Sequence, residues 1–373
     1  MRNDWDRHLR RALRLAERGR YRTAPNPMVG AVVVAADGEV VGEGWHAAVG
    51  GAHAEAVALA AAGGRARGGT LCVTLEPCNH HGRTPPCTEA ILAAGIARVV
   101  VCHRDPNRAV AGGGIERLRE AGVEVVSGGP VEAALRLNLR FVVPALLGRP
   151  QVTLKWAMSL DGRIATAAGE SQWISSPAGR RWALALREEH DAVLVGSGTA
   201  LADDPRLDRR LGLAGRPGVR VVLDRRLRLP PAARMLAVPG PVLVYAAATA
   251  PGRRRKALES HEAEVVVLDE PAPAAVLADL ARRGVQSVLV EGGAEVAAAF
   301  VAAGTWDRVA AVVAPKLLGG TRAPGPIGGA GVAALAEVPR LVGLVARRRG
   351  PDVVLDALRE TCSLESSTSA AGC

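Results

Sequence analysis

Aromatic side chains are scarce in this sequence: two Phe, two Tyr and six Trp make up 3% of 373 residues. A surface on which the bases of a single strand stack needs such rings at intervals, so single-stranded nucleic acid is not an expected partner. No run of 18 or more apolar residues occurs, although 49% of the chain is hydrophobic. That argues against a helical membrane span and leaves ample material for buried cores. Lysine is nearly missing: only Lys155, Lys256 and Lys316 stand among 47 basic residues, the rest being arginine. The formal charge of +10 thus reads first as a compositional bias toward arginine. A basic surface also favours anionic partners, including phosphorylated small molecules. Cysteine is sparse, and six in a chain with no secretory signal point to metal binding rather than a disulfide framework. Cys72 and Cys102 lie in apolar strand-like runs, and Cys362 and Cys373 in the tail. The N-terminal MRNDWDRHLRRALRLAERG is charged and has no apolar h-region, so a cytoplasmic location is expected.

The length suggests two domains. The first, over residues 1–146, alternates strand-like and helix-like segments. VGAVVVAADGEVVGEGWH reads as a hairpin turning at Asp37-Gly38. HAEAVALAAAG reads as a helix ending at Gly63, TLCVTLEPC as a strand, TEAILAAG as a short helix, ARVVVC and VEVV as strands, and IERLREAG as a helix. FVVPALLGRP, with two prolines and a glycine, is read as the boundary. A second α/β domain follows over residues 150–360. There VTLKWAM, DAVLVGS, VRVVLD, PVLVYAAA, AEVVVL, SVLVEGG and RVAAVVAP read as strands, and AGRRWALALREEH and AEVAAAFVAAG as helices. The small, polar tail 361–373 is expected to be disordered.

The chemistry concentrates in His53-Ala54-Glu55, Glu76-Pro77-Cys78 and Pro86-Cys87. One imidazole and two thiolates are three protein ligands, the number a catalytic zinc takes while keeping one position for water. The ion lowers the pKa of that water, and a carboxylate that does not bind metal must then carry protons, a role that suits Glu55. Residues at i and i+2 do not share a helix face, so His53 and Glu55 must meet a site beyond a helix end. The order H-x-E…P-C…C follows the zinc deaminase signature, with eight residues, NHHGRTPP, between the cysteines instead of two. A structural zinc would want a fourth ligand, for which His80, His81 or the Cys102-His103 pair are the candidates.

In the second domain LVEGGAEV reads as strand, Gly-Gly, helix, a turn whose backbone amides can cradle a phosphate or simply join two elements. GSGTALADDP is a second small-residue turn, or a solvated loop. Lys155, one of only three lysines, follows a strand run and is a candidate for orienting a substrate or for proton transfer.

Taken together, PNPMVG, HAE and TLEPCNHHGRTPPC, then KWAMSLDGRIAT, GESQWIS, VGSGTALADDPRL, LVEGGAEV and APKLLGG, resemble the bifunctional deaminase–reductase family of riboflavin biosynthesis, over residues 5–358 and in the family's order. The resemblance implies a cytidine-deaminase-like three-layer domain followed by a dihydrofolate-reductase-like α/β domain. It implies deamination of 2,5-diamino-6-(5-phosphoribosylamino)pyrimidin-4(3H)-one, then reduction of the ribosyl group to ribityl by NADPH. By motif, one zinc falls to His53, Cys78 and Cys87, proton transfer to Glu55, and deaminase-site substrate contacts to Asn26, His46, His80 and Arg83. In the reductase half it implies substrate contacts at Ser171, Arg187, Leu207, Arg210 and Glu291. Cofactor contacts fall to Ala157, Trp173, Thr199, Asp203, Arg225 and the segment from Gly293. It also implies homo-oligomers assembled through the reductase half. Arg108, Asp208 and Arg225 depart from the family's pattern, and the stretch between Arg210 and Val219 is short; an arginine at 225 suits a 2′-phosphate. The competing readings are a nucleic-acid deaminase with an accessory domain, a non-catalytic binder, and a chain with only its first half active.

Overall fold

The structure, a computed structural model, describes residues 5–81, 85–107 and 113–360. Arg83, Arg108, Cys362, Cys373 and the tail 361–373 lie outside the described residues. The chain forms two compact units that meet in sequence between Leu147 and Gly148.

The first unit is built on five strands, β1 (Gly30–Val34), β2 (Val40–Trp45), β3 (Thr70–Val73), β4 (Arg98–Val101) and β5 (Glu124–Ser127), in the spatial order β2-β1-β3-β4-β5. β1 pairs antiparallel with β2 and β3, and the remaining pairs are parallel. Its helices are α1 (Asp6–Ala16), α2 (Ala54–Ala62), α3 (Cys87–Ala93), α4 (Gly114–Glu120), α5 (Val131–Leu137) and α6 (Leu139–Leu147). β1 is buried along its whole length, and the period of two divides it between two cores. Ala31 and Val33 pack with Ala54, Ala58, Ile91 and Leu118 of α2, α3 and α4. Val32 and Val34 pack with Leu9, Ala12 and Leu13 of α1 and Ala134 of α5. The result is a three-layer sandwich with the sheet in the middle.

Two elements differ from their reading in the sequence. TLCVTLEPC pairs as a strand only through Val73, because the chain then turns toward Pro77, which cannot donate to a ladder. FVVPALLGRP is largely helix, with Pro144 inside α6. A proline there forfeits one backbone hydrogen bond, a loss a nine-residue helix with buried Val142 and Val143 can carry.

The second unit carries nine strands: β6 (Gln151–Ser159), β7 (Ala192–Gly196), β8 (Val219–Leu223), β9 (Val242–Ala247), β10 (Ala263–Leu268), β11 (Ser287–Val290), β12 (Arg308–Ala314), β13 (Leu341–Arg349) and β14 (Asp352–Arg359). Their order is β10-β9-β8-β7-β11-β6-β12-β14-β13. Seven run parallel, and β14 and β13 complete one edge in antiparallel fashion. The helices are α7 (Pro177–Glu189), α8 (Ser197–Asp203), α9 (Gly252–Glu259), α10 (Pro273–Arg282) and α11 (Ala294–Ala302). β13 and β14 were not among the strands read, although both carry apolar residues; β13 is exposed over most of its length and ends in Arg347, Arg348 and Arg349. In the described residues no helix is long and apolar enough to cross a membrane.

The placement of α2 depends on two glycines. A Cβ at Gly44 would stand 2.3 Å from the Ala54 carbonyl oxygen, and one at Gly42 would stand 2.1 Å from that of Ala58. Only a bare backbone lets the start of α2 lie this close to β2. We expect Gly44→Val to push the first turn of α2 outward, at a cost of about 1–3 kcal/mol, and to loosen metal retention. Calorimetry and elemental analysis check this; an unchanged unfolding temperature and unchanged zinc content would contradict it.

Candidate active sites

His53 is the N-cap of α2, in extended conformation, and Glu55 lies in the helix's first turn. The two therefore address a point beyond the helix end. Cys87 is the first residue of α3, and its amide donates to Cys78 Sγ at 3.4 Å. Cys78 itself is not at a helix start. It lies in the preceding segment and receives α3's first amide, while Thr88 N donates to its carbonyl oxygen at 3.3 Å. A helix N-terminus directed at a sulfur favours the thiolate.

His53 Nδ1 lies 3.2 Å from Cys87 Sγ and 3.4 Å from Cys78 Sγ, and the three ligand atoms fall within 4.8 Å of one another. His80, His81, Cys102 and His103 are not part of this group among the described residues. His80 is exposed, His81 faces Glu89 at 3.9 Å, and Cys102 and His103 are buried elsewhere. Donors from Cys87 and His53 hold the Cys78 thiol down at about 4, and the charge so placed pushes the Cys87 thiol far up. Two sulfurs this close ionise together only around a cation. Three soft or borderline donors, one position short of a tetrahedron, fit zinc.

Glu55 is 4% exposed. Burial, and then the neighbouring Cys78 thiolate, push its carboxyl up to about 7 before any cation is bound. Beside His53, at 5.6 Å between ring centroids, His46 Nδ1 faces the Ala52 carbonyl at 3.0 Å, which can only accept, so Nδ1 carries the proton. Its Nε2 then accepts from Asn26 Nδ2 at 3.1 Å. Burial lowers the His46 pKa, so the ring stays neutral. Among the described residues no hydrogen bond to the Asn26 side-chain oxygen is seen.

Sequence reading named Glu76 without a role and passed over Asp105. The Glu76 carboxylate is buried and accepts from Asp105 N at 3.2 Å and Ile115 N at 3.1 Å, tying the Cys78 segment to the turn after β4 and to the start of α4. Asp105, pushed up to about 6 by burial, feels Glu76, His80 and Cys78. The DPN turn after β4 was the only signal for it.

In the second unit the carboxyl ends of the parallel strands carry the remaining candidates, where open α/β sheets bind ligands. Glu291, just after β11, accepts from Arg187 Nε at 2.8 Å and Nη2 at 2.9 Å, and Lys155 Nζ of β6 stands 3.5 Å from it. The two cations hold the buried Glu291 carboxyl down at about 2. GSGTALADDP is not a loop: α8 starts at Ser197, immediately after β7. Gly293, the N-cap of α11, donates its amide to Thr199 Oγ1 at 3.1 Å, which joins the two turns. A Cβ at Gly198 would meet nothing within 4 Å, so backbone faces open space there. That cradle fits the phosphates of a dinucleotide.

Ser171 Oγ donates to Asp203 Oδ1 at 3.3 Å, and the exposed Trp173 ring lies under the Arg180 guanidinium at 4.5 Å. Ala157 is half-buried on β6. Arg210 is paired with Asp208, and Arg225 is exposed after β8. Leu207, 3% exposed with φ of 52°, has only its backbone to offer a substrate.

Two family models match the chain: "Cytidine and deoxycytidylate deaminase zinc-binding region" over residues 2–103 and "RibD C-terminal domain" over residues 150–355. The riboflavin biosynthesis protein RibD of Synechocystis sp. is 45% identical over 346 residues, covering 92% of this chain and 94% of its own. That of Bacillus amyloliquefaciens is 44% identical over 354 residues, covering 94% and 95%. Among solved structures, Acinetobacter baumannii RibD superposes with a TM-score of 0.81 at 38% identity, covering 95% of this chain and 98% of its own. A Thermotoga maritima diaminohydroxyphosphoribosylaminopyrimidine deaminase/5-amino-6-(5-phosphoribosylamino)uracil reductase also reaches 0.81, at 36% identity, covering 95% and 99%.

Glu291→Ala strands two largely covered cations, and we expect it to destabilise the second unit by about 3–5 kcal/mol. Because the Glu291 pKa is depressed, its contribution is complete above 4.5 and is lost as pH falls toward about 2. Thermal unfolding of wild type and variant from pH 7 to pH 3 checks both. The gap between them should shrink toward the acid end; a gap constant with pH would contradict the assignment.

Proposed function

The chain belongs to the RibD family of riboflavin biosynthesis proteins, whose deaminase and reductase domains it carries in one polypeptide, and from that premise we propose how its own residues divide the work. The enzyme is a bifunctional deaminase and reductase that uses zinc and NADPH. We assign it the diaminopyrimidine carrying a phosphoribosylamino group as the first substrate, and the deaminated uracil as the second.

In the first site His53, Cys78 and Cys87 would hold zinc, which supplies Lewis-acid activation of water. The buried Glu55 takes a proton from that water as it adds to the amine-bearing ring carbon. It then delivers a proton to the leaving nitrogen, so one water is consumed and one ammonia released. A buried carboxyl beside the metal ligands and not one of them is free to gain and lose a proton within one turnover. Neutral His46 and Asn26 form a fixed polar wall that orients the pyrimidine edge.

In the second site NADPH supplies the hydride, and the protein supplies position and charge. Arg187 and Lys155, both clamped by Glu291, present cationic donors to the ribose and its phosphate. Lys155 is the group placed to give the accompanying proton, and Glu291 fixes its direction. Thr199, Gly293, Asp203 and Trp173 hold the cofactor. The single observation that carries this reading is the convergence of one imidazole and two sulfurs beside a buried glutamate. A nucleic-acid deaminase would have no use for the nine-stranded second unit.

We expect Glu55→Gln to keep its zinc and to lose ammonia release by about 10²–10⁴-fold. The same protein should oxidise NADPH normally when given the pre-deaminated uracil. Ammonia release at the wild-type rate would refute the role of Glu55. In the same assay, Lys155→Ala with normal reductase turnover would refute the role of Lys155.

A further inference from the structure

The segment that carries Asn26 has little of its own to hold it. Residues 23–28 belong to no helix or strand, and Pro25 and Pro27 have no amide to donate. An internal backbone bond runs from Asn26 N to the Thr23 carbonyl at 2.8 Å. Two side chains from the junction of α5 and α6 close on the segment from 110 and 117 residues away. Asn138 is fully buried. Its Oδ1 accepts from Met28 N at 2.7 Å, and its Nδ2 donates to the Met28 carbonyl at 2.9 Å. One planar amide thus satisfies both backbone groups of one residue, as a paired strand would, and only one orientation of the amide can do so. Arg140 Nη2 donates to the buried Thr23 Oγ1 at 2.7 Å.

Asn138 also begins α6: its carbonyl accepts from Phe141 N at 2.8 Å and from Val142 N at 2.9 Å. An asparagine at a helix start ordinarily turns its side chain to the free amides of its own helix. Here that side chain is given to Met28 instead.

Both members of the polar wall, Asn26 and His46, hang on the clamped stretch. Asn26 lies between Thr23 and Met28. His46 N donates to the carbonyl of Val29, the next residue, at 2.9 Å. At the other end, a Cβ on Gly19 would stand 2.5 Å from the His46 carbonyl oxygen and 2.7 Å from the Thr23 methyl, so bare backbone lets Thr23 and His46 pack there. The contact of Asn26 Nδ2 with His46 Nε2 at 3.1 Å therefore depends on where residues 23–28 are held. A group that orients a substrate must be fixed to within about 0.5 Å, and a displacement of about 1 Å can cost about 100-fold in rate.

We propose that Asn138 and Arg140 are positioning residues of the deaminase, which fix residues 23–28 and through them the Asn26–His46 wall. The proposal rests on the reading of that wall as the group that orients the pyrimidine. Both side chains lie beyond residue 103, where the match to the deaminase zinc-binding region ends. The zinc signature alone therefore does not make up this site.

Steady-state ammonia release by the zinc-loaded full chain, in a double-mutant cycle with Asn26→Ala, tests it. Asn138→Asp keeps the acceptor for Met28 N and loses the donor. It should lower kcat/KM by about tenfold or more with zinc content unchanged, and the same protein should reduce the pre-deaminated uracil normally. Thr23→Val, which replaces one buried hydroxyl by a methyl, should do the same. Thr23→Ser, which keeps the hydroxyl, should recover most of the wild-type kcat/KM. This second arm stands by itself if Asn138→Asp does not fold. In an Asn26→Ala background neither change should cost more than about twofold further, because the group they position is gone. A full additional loss in that background would overturn the clamp and leave the wall intact. Wild-type kcat/KM in folded Asn138→Asp would overturn the role of Asn138, and in folded Thr23→Val that of Arg140. Wild-type kcat/KM in Asn26→Ala alone would overturn the reading of the wall, and the clamp with it.

Discussion

Two sulfurs and an imidazole nitrogen within 4.8 Å of one another set the central electrostatic constraint of the molecule. Two thiolates at that distance repel by about 3–4 kcal/mol at an effective dielectric near 20, a large share of a typical domain's stability of about 5–15 kcal/mol. A divalent cation turns the repulsion into attraction. The surrounding fold is arranged to hold the three groups in place: bare backbone on β2 lets α2 approach, α3 points its first amide at Cys78, and Glu76 pins the turn after β4 and the start of α4 behind it.

The two units treat a buried glutamate in opposite ways, and the contrast separates their roles. Glu55 sits against a thiolate, so burial and like charge both raise its pKa to about 7. Glu291 is less deeply buried and gripped by Arg187 and Lys155, which bring it down to about 2. One is poised to exchange a proton; the other is a fixed charge that orients two cations. The same side chain serves as an acid–base group or as an anchor according to its neighbours.

Much of this was legible because the chemistry needs fixed residue types in a fixed order. The two α/β units, the hairpin at Asp37-Gly38 and the parallel strands of the second unit follow from apolar periodicity. Gly38 indeed adopts φ of 87° at that turn. What escaped lacked a local signal. β13 is an exposed, arginine-ended edge strand, α6 contains a proline, and α8 is a helix of Ser, Gly, Thr and Ala that reads as a loop. The role of Glu76 depends on partners 29 and 39 residues away in sequence. Periodicity does not report such pairs; only the packed sheet brings them together.

The most direct test of the account is X-ray absorption at the zinc edge of the metal-loaded full chain. The account predicts two sulfur neighbours at about 2.3 Å, one imidazole nitrogen at about 2.0 Å and one light non-protein ligand. Cys87→Ser should then lower the sulfur count to one. A shell filled by four protein donors, or one containing no sulfur, would contradict it.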